Sequence, residues 1–136
     1  PKQPITNQTG SRFGLKMTWC ARIADQNDQW SWGESRNWTS NEWTEQISKH
    51  LNSLEGQDWS EIQAMTSDNM HLMHHDHDIG DLCDEAIERW IERDLEQFDT
   101  LFRFRLGNKK RAWGVELQGH FFLVWYERDH RIYPVG

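Results

Sequence analysis

The sequence predicts an α+β domain: an N-terminal strand, two to three helices, then a three- to four-stranded antiparallel meander with the helices packed on one face. Three observations predict it. Apolar residues alternate at period two in residues 17–23, recur at helical spacing between residues 41 and 95, and return to period two after Thr100. At 136 residues the chain suffices for one domain with its own core, so residues 17–136 are read as a single unit. Residues 1–16 are polar, contain Gly10, Ser11 and Gly14, and read as an arm.

The elements follow in order. Met17, Trp19, Ala21 and Ile23 alternate with Thr18, Cys20 and Arg22, the pattern of a half-buried strand. Residues 25–28 (DQND) form a turn, and the aromatic stretch 29–38 has no regular period. Residues 41–54 form a helix whose apolar stripe is Trp43, Ile47, His50/Leu51 and Leu54, with Ser40 at its start and Gly56 past its end. A short helix follows at 58–65, where Asp58 and Glu61 stand as a capping pair. A third helix covers 78–95, with Leu82, Ala86, Arg89/Trp90 and Arg93 on one side. Its other side carries Asp81, Asp84, Glu85, Glu88 and Glu92. Strands are expected at 101–106, 111–117 and 120–126, with turns at 107–110 and 118–119, and a short strand at 131–133.

Composition narrows what the core is made of. Hydrophobic residues are 36 % of the chain and mean hydropathy is −0.92, so the core is built from few but large side chains. Nine tryptophans meet that need. Cys20 and Cys83 lie far apart with no metal-type or redox-type spacing, which points to reduced thiols and a cytoplasmic location. Residues 1–14 lack the apolar segment of a signal peptide, and no run approaches the roughly 18 apolar residues of a membrane helix. No membrane contact and no cofactor are expected.

Charge is distributed unevenly. Residues 101–136 carry seven Lys/Arg against three Asp/Glu, a net +4. Residues 1–100 carry eight against nineteen, a net −11, and the whole chain is −7. A basic block on an acidic body points to an anionic partner for that block.

The turns imply a register for the meander. Two residues at 118–119 place Leu117 opposite His120, Val115 opposite Phe122 and Trp113 opposite Val124. Four residues at 107–110 place Leu106 opposite Arg111, Phe104 opposite Trp113 and Phe102 opposite Val115. The apolar face is then Phe102, Phe104, Leu106, Trp113, Val115, Leu117, Phe122 and Val124, turned toward the helices. The other face holds Arg103, Arg105, Ala112, Gly114, Glu116, Phe121, Leu123 and Trp125. Two guanidiniums beside an indole, over a low floor of Ala112 and Gly114, suit phosphate-and-base recognition. The plainer reading of Arg103 and Arg105 is as solvent-facing strand residues with Glu116 across from them. His130, in the charged turn 127–131, is an acid/base candidate at the rim of that face, with Asp129 or Glu127 to orient it.

A strand, helices and a basic meander ending in a histidine turn (FRFRLGNKKRAWGVELQGHFFLVWYERDHRIYP) resemble the RelE/ParE-like toxin superfamily of bacterial toxin–antitoxin modules. The resemblance implies a small α+β endoribonuclease that cleaves RNA, often on the ribosome, without metal and under a cognate antitoxin-like protein partner. It implies Arg103, Arg105 and His130 as catalytic residues. Lys109, Lys110, Arg111, Trp125 and Arg128 would then bind nucleic acid. The chain departs from such toxins in its acidic total and in the helix at 78–95.

Two other readings stand beside this one. Residues 70–78 (MHLMHHDHD) gather His71, His74, His75 and His77 with Asp76 and Asp78, good ligands for zinc, nickel or iron. An extended backbone puts His75 and His77 on one face, a metal-dependent hydrolase would use His71, His75 and His77, and the bland alternative is a polar loop. The acidic side of 78–95 alternatively suits a non-catalytic inhibitor-type protein that docks on a basic partner.

Overall fold

The computed structural model describes residues 11–67 and 70–134. Residues 1–10 of the predicted polar arm lie outside the described residues. The fold is α+β, as expected, around one five-stranded sheet of order β1-β5-β4-β3-β2. The strands are β1 (Thr18–Cys20), β2 (His75–Asp78), β3 (Thr100–Gly107), β4 (Lys110–Leu117) and β5 (His120–Glu127). The meander β3-β4-β5 is antiparallel, β1 runs parallel to β5, and β2 runs antiparallel to β3. None of the described helices is long and apolar enough to cross a membrane.

The first helical rod runs without a break through α1 (Ser40–Glu42), a π turn (Trp43–Ile47) and α2 (Ser48–Leu54). Its N-cap is Thr39 rather than Ser40. The Thr39 hydroxyl accepts from Glu42 N at 3.0 Å and the Glu42 carboxylate accepts from Thr39 N at 2.9 Å, a reciprocal capping box. At α3 (Trp59–Ala64) the cap is one-way: the Asp58 carboxylate accepts from Ser60 N at 2.8 Å. The predicted helix at 78–95 is instead a 3-10 turn (Ile79–Asp81) followed by α4 (Asp84–Glu92), which starts one residue after Cys83. The strand expected at 131–133 is not formed.

Helices pack on both faces of the sheet, not on one. Ile47, Leu51 and Leu54 of the rod and Trp59 and Ile62 of α3 pack with Phe102, Phe104, Leu106, Ala112, Phe121 and Leu123. Ala86 and Trp90 of α4 pack with Trp30, Leu101, Trp113, Val115, Val124 and Trp125 on the other side. Alternate residues of β3 and β4 therefore divide between two cores, which is why those strands read as buried almost throughout.

Two irregularities overturn the predicted faces. The β3–β4 hairpin pairs Gly107 with Lys110 and Arg105 with Arg111, with a register shift between them. Phe104 thus lies opposite Ala112, and Phe102 opposite Gly114, not opposite Trp113 and Val115. The β4–β5 register matches the expected one at Leu117/His120 and Val115/Phe122, but a bulge then places Gly114 opposite Leu123 and Trp113 opposite Trp125. Phe102 and Trp113 accordingly belong to opposite cores. Gly114 is required at the bulge: a Cβ there would stand 2.1 Å from the Phe122 carbonyl oxygen and 2.8 Å from the Phe121 ring.

Candidate functional site

Sheet pairing brings one set of side chains to a single face. His75 pairs with Arg103, Arg103 with Trp113, Arg105 with Arg111, and Arg111 with Glu127. Side chains directly opposite across strands share a face, and so do residues two apart along a strand. His75, His77, Arg103, Arg105, Arg111, Trp113 and Glu127 therefore lie together, on the side opposite Phe102 and Phe104. The strict alternation in His75–Asp78 makes β2 a strand and sends both imidazoles the same way. Their ring centroids are 4.4 Å apart, and His77 lies 5.4 Å from Trp113.

The chain beyond β5 folds back over this face. Glu127 is fully buried and acts as the anchor. Its Oε1 accepts from Trp113 Nε1 at 2.9 Å, and its Oε2 accepts from Arg131 N and from Ile132 N, the latter at 2.7 Å. His130 takes a left-handed conformation (φ 58°) in the resulting turn. Tyr133 lands with its ring 4.4 Å from that of His77. Cys83 N donates to Ile132 O at 2.8 Å and joins the turn to the start of α4.

The electrostatics of this cluster differ from the rest of the molecule. Arg12, Arg36, Arg89, Arg93 and Arg128 all take carboxylate partners. Among the described residues, Arg103, Arg105 and Arg111 have none in ion-pair contact. Arg103 and Arg111 are each only 7 % exposed. Arg103 Nη2 donates to Met73 O at 2.9 Å, and Arg111 Nη1 donates to Asn108 O at 2.7 Å and Lys110 O at 2.9 Å. Burial, followed by the charges of Arg111 and Arg105, lowers the pKa of Arg103 to about 10. Burial and then Arg105 lower that of Arg111. Glu127 offsets both in part, but burial pushes its own carboxyl up toward the neutral form.

The imidazoles respond to the same cations. Burial, then His75, Arg103 and His130, lower the pKa of His77 to about 3. Burial and then Arg111 lower that of His130, with Arg103 and Lys109 adding to the effect. His75 is lowered by burial first, with Arg103 contributing. Its Nδ1 lies 3.1 Å from Asp76 O, so the neutral ring donates there and keeps its lone pair on Nε2. His74 is a buried acceptor for Arg105 N at 3.1 Å, and burial holds its pKa at about 4.

Four buried polar atoms of this one cluster have no hydrogen-bond partner among the described residues: Nε of Arg103, Nε of Arg111, Nε2 of His77 and Nδ1 of His130. A buried donor without a partner costs about 1–3 kcal/mol, and more when charged. Buried cations that repel one another, with unused donors, are complementary to an oxyanion with several acceptor oxygens.

The structure thus assembles Arg103, Arg105, Arg111 and His130, with Lys109 at the rim, although not on an open sheet face. It removes other predicted members. Trp125 is a core residue, packed edge-on to Trp30 at 5.1 Å and Trp90 at 5.6 Å, with Nε1 donating to Asp25 at 3.0 Å. Arg128 is saturated: it binds Glu42, Glu34, Ser35 O and Asn37 O, and lies 5.1 Å over Tyr126. Lys110 alternates to the face away from Arg111. Ala112 and Gly114 lie under Phe104 and Phe121, so they form no floor for the arginines. Glu116 serves Arg12 and Gly119 N, not Arg103 or Arg105.

The metal reading fares differently at each histidine. His75 and His77 do share a face, whereas His71 is exposed, next to the Leu72 that bridges Thr66. Among the described residues no group of three His, Cys, Asp or Glu has metal-holding geometry. Three guanidiniums beside His75 and His77 also make the place unfavourable for a cation. Glu127, expected to orient the His130 imidazole, instead anchors the turn that carries it, and Tyr133 was not anticipated. The tyrosine has no sequence signal, while the period-two HDHD run was a signal for the strand. Comparison with protein-family models, with curated proteins and with solved structures finds no match for this chain.

Proposed function

We propose that this cluster binds the phosphodiester of RNA and cleaves it without metal. The observation that carries the reading is the convergence of Arg103, Arg105 and Arg111 on His77 and His130, with no carboxylate in ion-pair contact with the three among the described residues and four polar atoms without a partner there. Guanidiniums with neutral imidazoles suit a reaction whose nucleophile is already in the substrate, and RNA supplies one in the ribose 2′-hydroxyl. It is also the chemistry that the resemblance to RelE/ParE-like toxins implies.

Arg103 and Arg111 take the non-bridging oxygens and stabilise the charge that accumulates on them during attack. One neutral imidazole accepts the 2′-hydroxyl proton, and the oxygen attacks phosphorus. The bond to the 5′-oxygen breaks, and that oxygen leaves with a proton from the second imidazole, which the bound phosphate holds in its protonated form. The products are a 2′,3′-cyclic phosphate and a 5′-hydroxyl. A bound anion favours the charged form of whichever imidazole faces it, which offsets the low proton affinity of His77 and His130 among the arginines.

The test is incubation with a single-stranded oligoribonucleotide in excess chelator, beside the same sequence with deoxyribose throughout. Cyclic-phosphate ends from the RNA alone are expected. Persistence of both strands, free or on ribosomes, overturns the reading.

One observation favours a second reading. On α4, Asp84, Glu88 and Ile91 form one exposed stripe, with Ile91 54 % exposed beside Glu92. An apolar anchor among carboxylates suits a basic protein partner. Capture of a basic protein that is lost in Ile91→Lys supports this reading; the RNA assay is silent on it.

A further inference from the structure

We propose that Arg12 is a positioning residue: from the opposite face of the sheet it holds β2 in place, and with it His75 and His77. This rests on the reading of the cationic cluster as an anion site.

β2 is four residues long and lies at the sheet edge, where β3 is its hydrogen-bonded neighbour among the described residues. A short edge strand is among the parts of a sheet that open most easily. Its alternation sends His75 and His77 to the cluster and Asp76, between them, to the other face. There Arg12 Nη2 meets Asp76 Oδ2 at 2.5 Å, and Nη1 meets Oδ1 at 3.3 Å.

Arg12 is itself a fixed post. Nε donates to Gln63 at 2.6 Å and Nη1 to Glu116 at 3.0 Å. The guanidinium carbon stands 5.2 Å over the Trp59 ring and 5.1 Å over that of Phe102. One planar group therefore ties α3 and β4 to β2, and a bidentate pair fixes direction as well as distance. A shift of Asp76 moves both flanking imidazoles, because successive residues of a strand share one rigid backbone. Ladder bonds to β3 fix the register of β2. The Arg12–Asp76 pair fixes how firmly its outer edge is pressed against the sheet.

The experiment uses the full chain, with Asp76→Ala as the deciding variant and Arg12→Gln as its counterpart. Asp76→Ala leaves Arg12 paired with buried Glu116 but frees its Nη2, so the chain is expected to stay folded with a lowered unfolding midpoint. Amide exchange at residues 75–78 is expected to accelerate, and the His75 and His77 imidazole resonances to move. Affinity for inorganic phosphate is expected to fall by roughly 10- to 100-fold, the effect of displacing binding groups by about an ångström. Unchanged exchange and unmoved imidazole resonances in folded Asp76→Ala overturn the proposal, and so does unchanged phosphate affinity where wild type binds phosphate. If Arg12→Gln fails to fold, Asp76→Ala still decides. Wild type that binds no phosphate removes the anion-site reading, while exchange and resonances still report whether Arg12 holds the strand.

Discussion

Trp113 Nε1 donates to Glu127 Oε1 at 2.9 Å across the β4–β5 ladder, and both residues are fully buried. Glu127 thereby fixes the turn that carries His130, since its other oxygen takes Arg131 N and Ile132 N. In Glu127→Gln the new amide presents N–H groups to one of these donor sets, leaving at least one buried donor unpaired. A loss of about 2–4 kcal/mol is expected. Denaturant unfolding measures it, and faster amide exchange at Arg131 and Ile132 locates it. Wild-type stability in this variant would show that the carboxylate does not organise the turn.

Arg103 separates stability from function. Its guanidinium is buried beside two other cations, with no carboxylate in ion-pair contact among the described residues, so the folded chain carries a repulsion that an apolar side chain would relieve. Arg103→Met is expected to raise stability by about 1–2 kcal/mol. It is also expected to lower RNA cleavage by at least ~100-fold, the scale for losing one donor to a developing oxyanion. Thermal unfolding and single-turnover cleavage check the two halves independently.

The histidines make stability depend on pH in a defined direction. His77 and His74 have pKa values of about 3 and about 4 in the folded chain against 6.5 in the unfolded one, and His75 and His130 shift the same way. Between pH 6.5 and 4 the unfolded chain therefore binds more protons, and stability falls as pH falls. Two protons correspond to a slope of at most about 2.7 kcal/mol per pH unit. Glu127, raised by burial, works in the opposite direction by at most one proton. The unfolding free energy is expected to be flat above neutrality and to decline from about pH 6.5 downward. His77→Gln is expected to make the decline shallower, and urea unfolding across this range reads both.

What could be read from the residues ahead of the fold was the alternation, not its interruptions. Period two located β3, β4 and β5 within a residue or two, and the tight turn at Gln118-Gly119 set the register at that end of the second hairpin. The irregularity between Arg105 and Gly107 puts Arg103 and Arg105 on the face of Trp113 rather than that of Ala112, and the one at Trp113/Gly114 brings Trp125 to that face as well. A strand buried on both faces has no polar side to report such a slip, so nothing in the pattern could reveal it. Arg103 and Arg105 were picked out by charge, and they do converge with His130. The face on which they lie is not open, because α4 and the Trp30 loop pack against it. The partners that occupy Arg128 and Trp125, namely Glu34, Glu42 and Asp25, come from 86 or more positions away in the chain, so the local sequence gives no sign of them.

Gly114 offers a direct test of the bulge that sets those faces. A methyl group there would meet the Phe122 carbonyl at 2.1 Å, and backbone in a central strand cannot move aside as a flexible side chain would. Gly114→Ala must either straighten the bulge, which rotates Trp113 and Arg111 relative to β5, or push β5 away from β4. Both routes disrupt core packing, and a loss of more than about 3 kcal/mol is expected. Gly119→Ala, in the adjoining turn at φ 87°, has the flexible Leu15 side chain nearest at 3.1 Å, and so carries mainly the cost of a left-handed backbone, about 1–2 kcal/mol. Denaturant midpoints of the two variants measured side by side check the order. A Gly114→Ala protein as stable as Gly119→Ala would mean that the strands pair without the bulge.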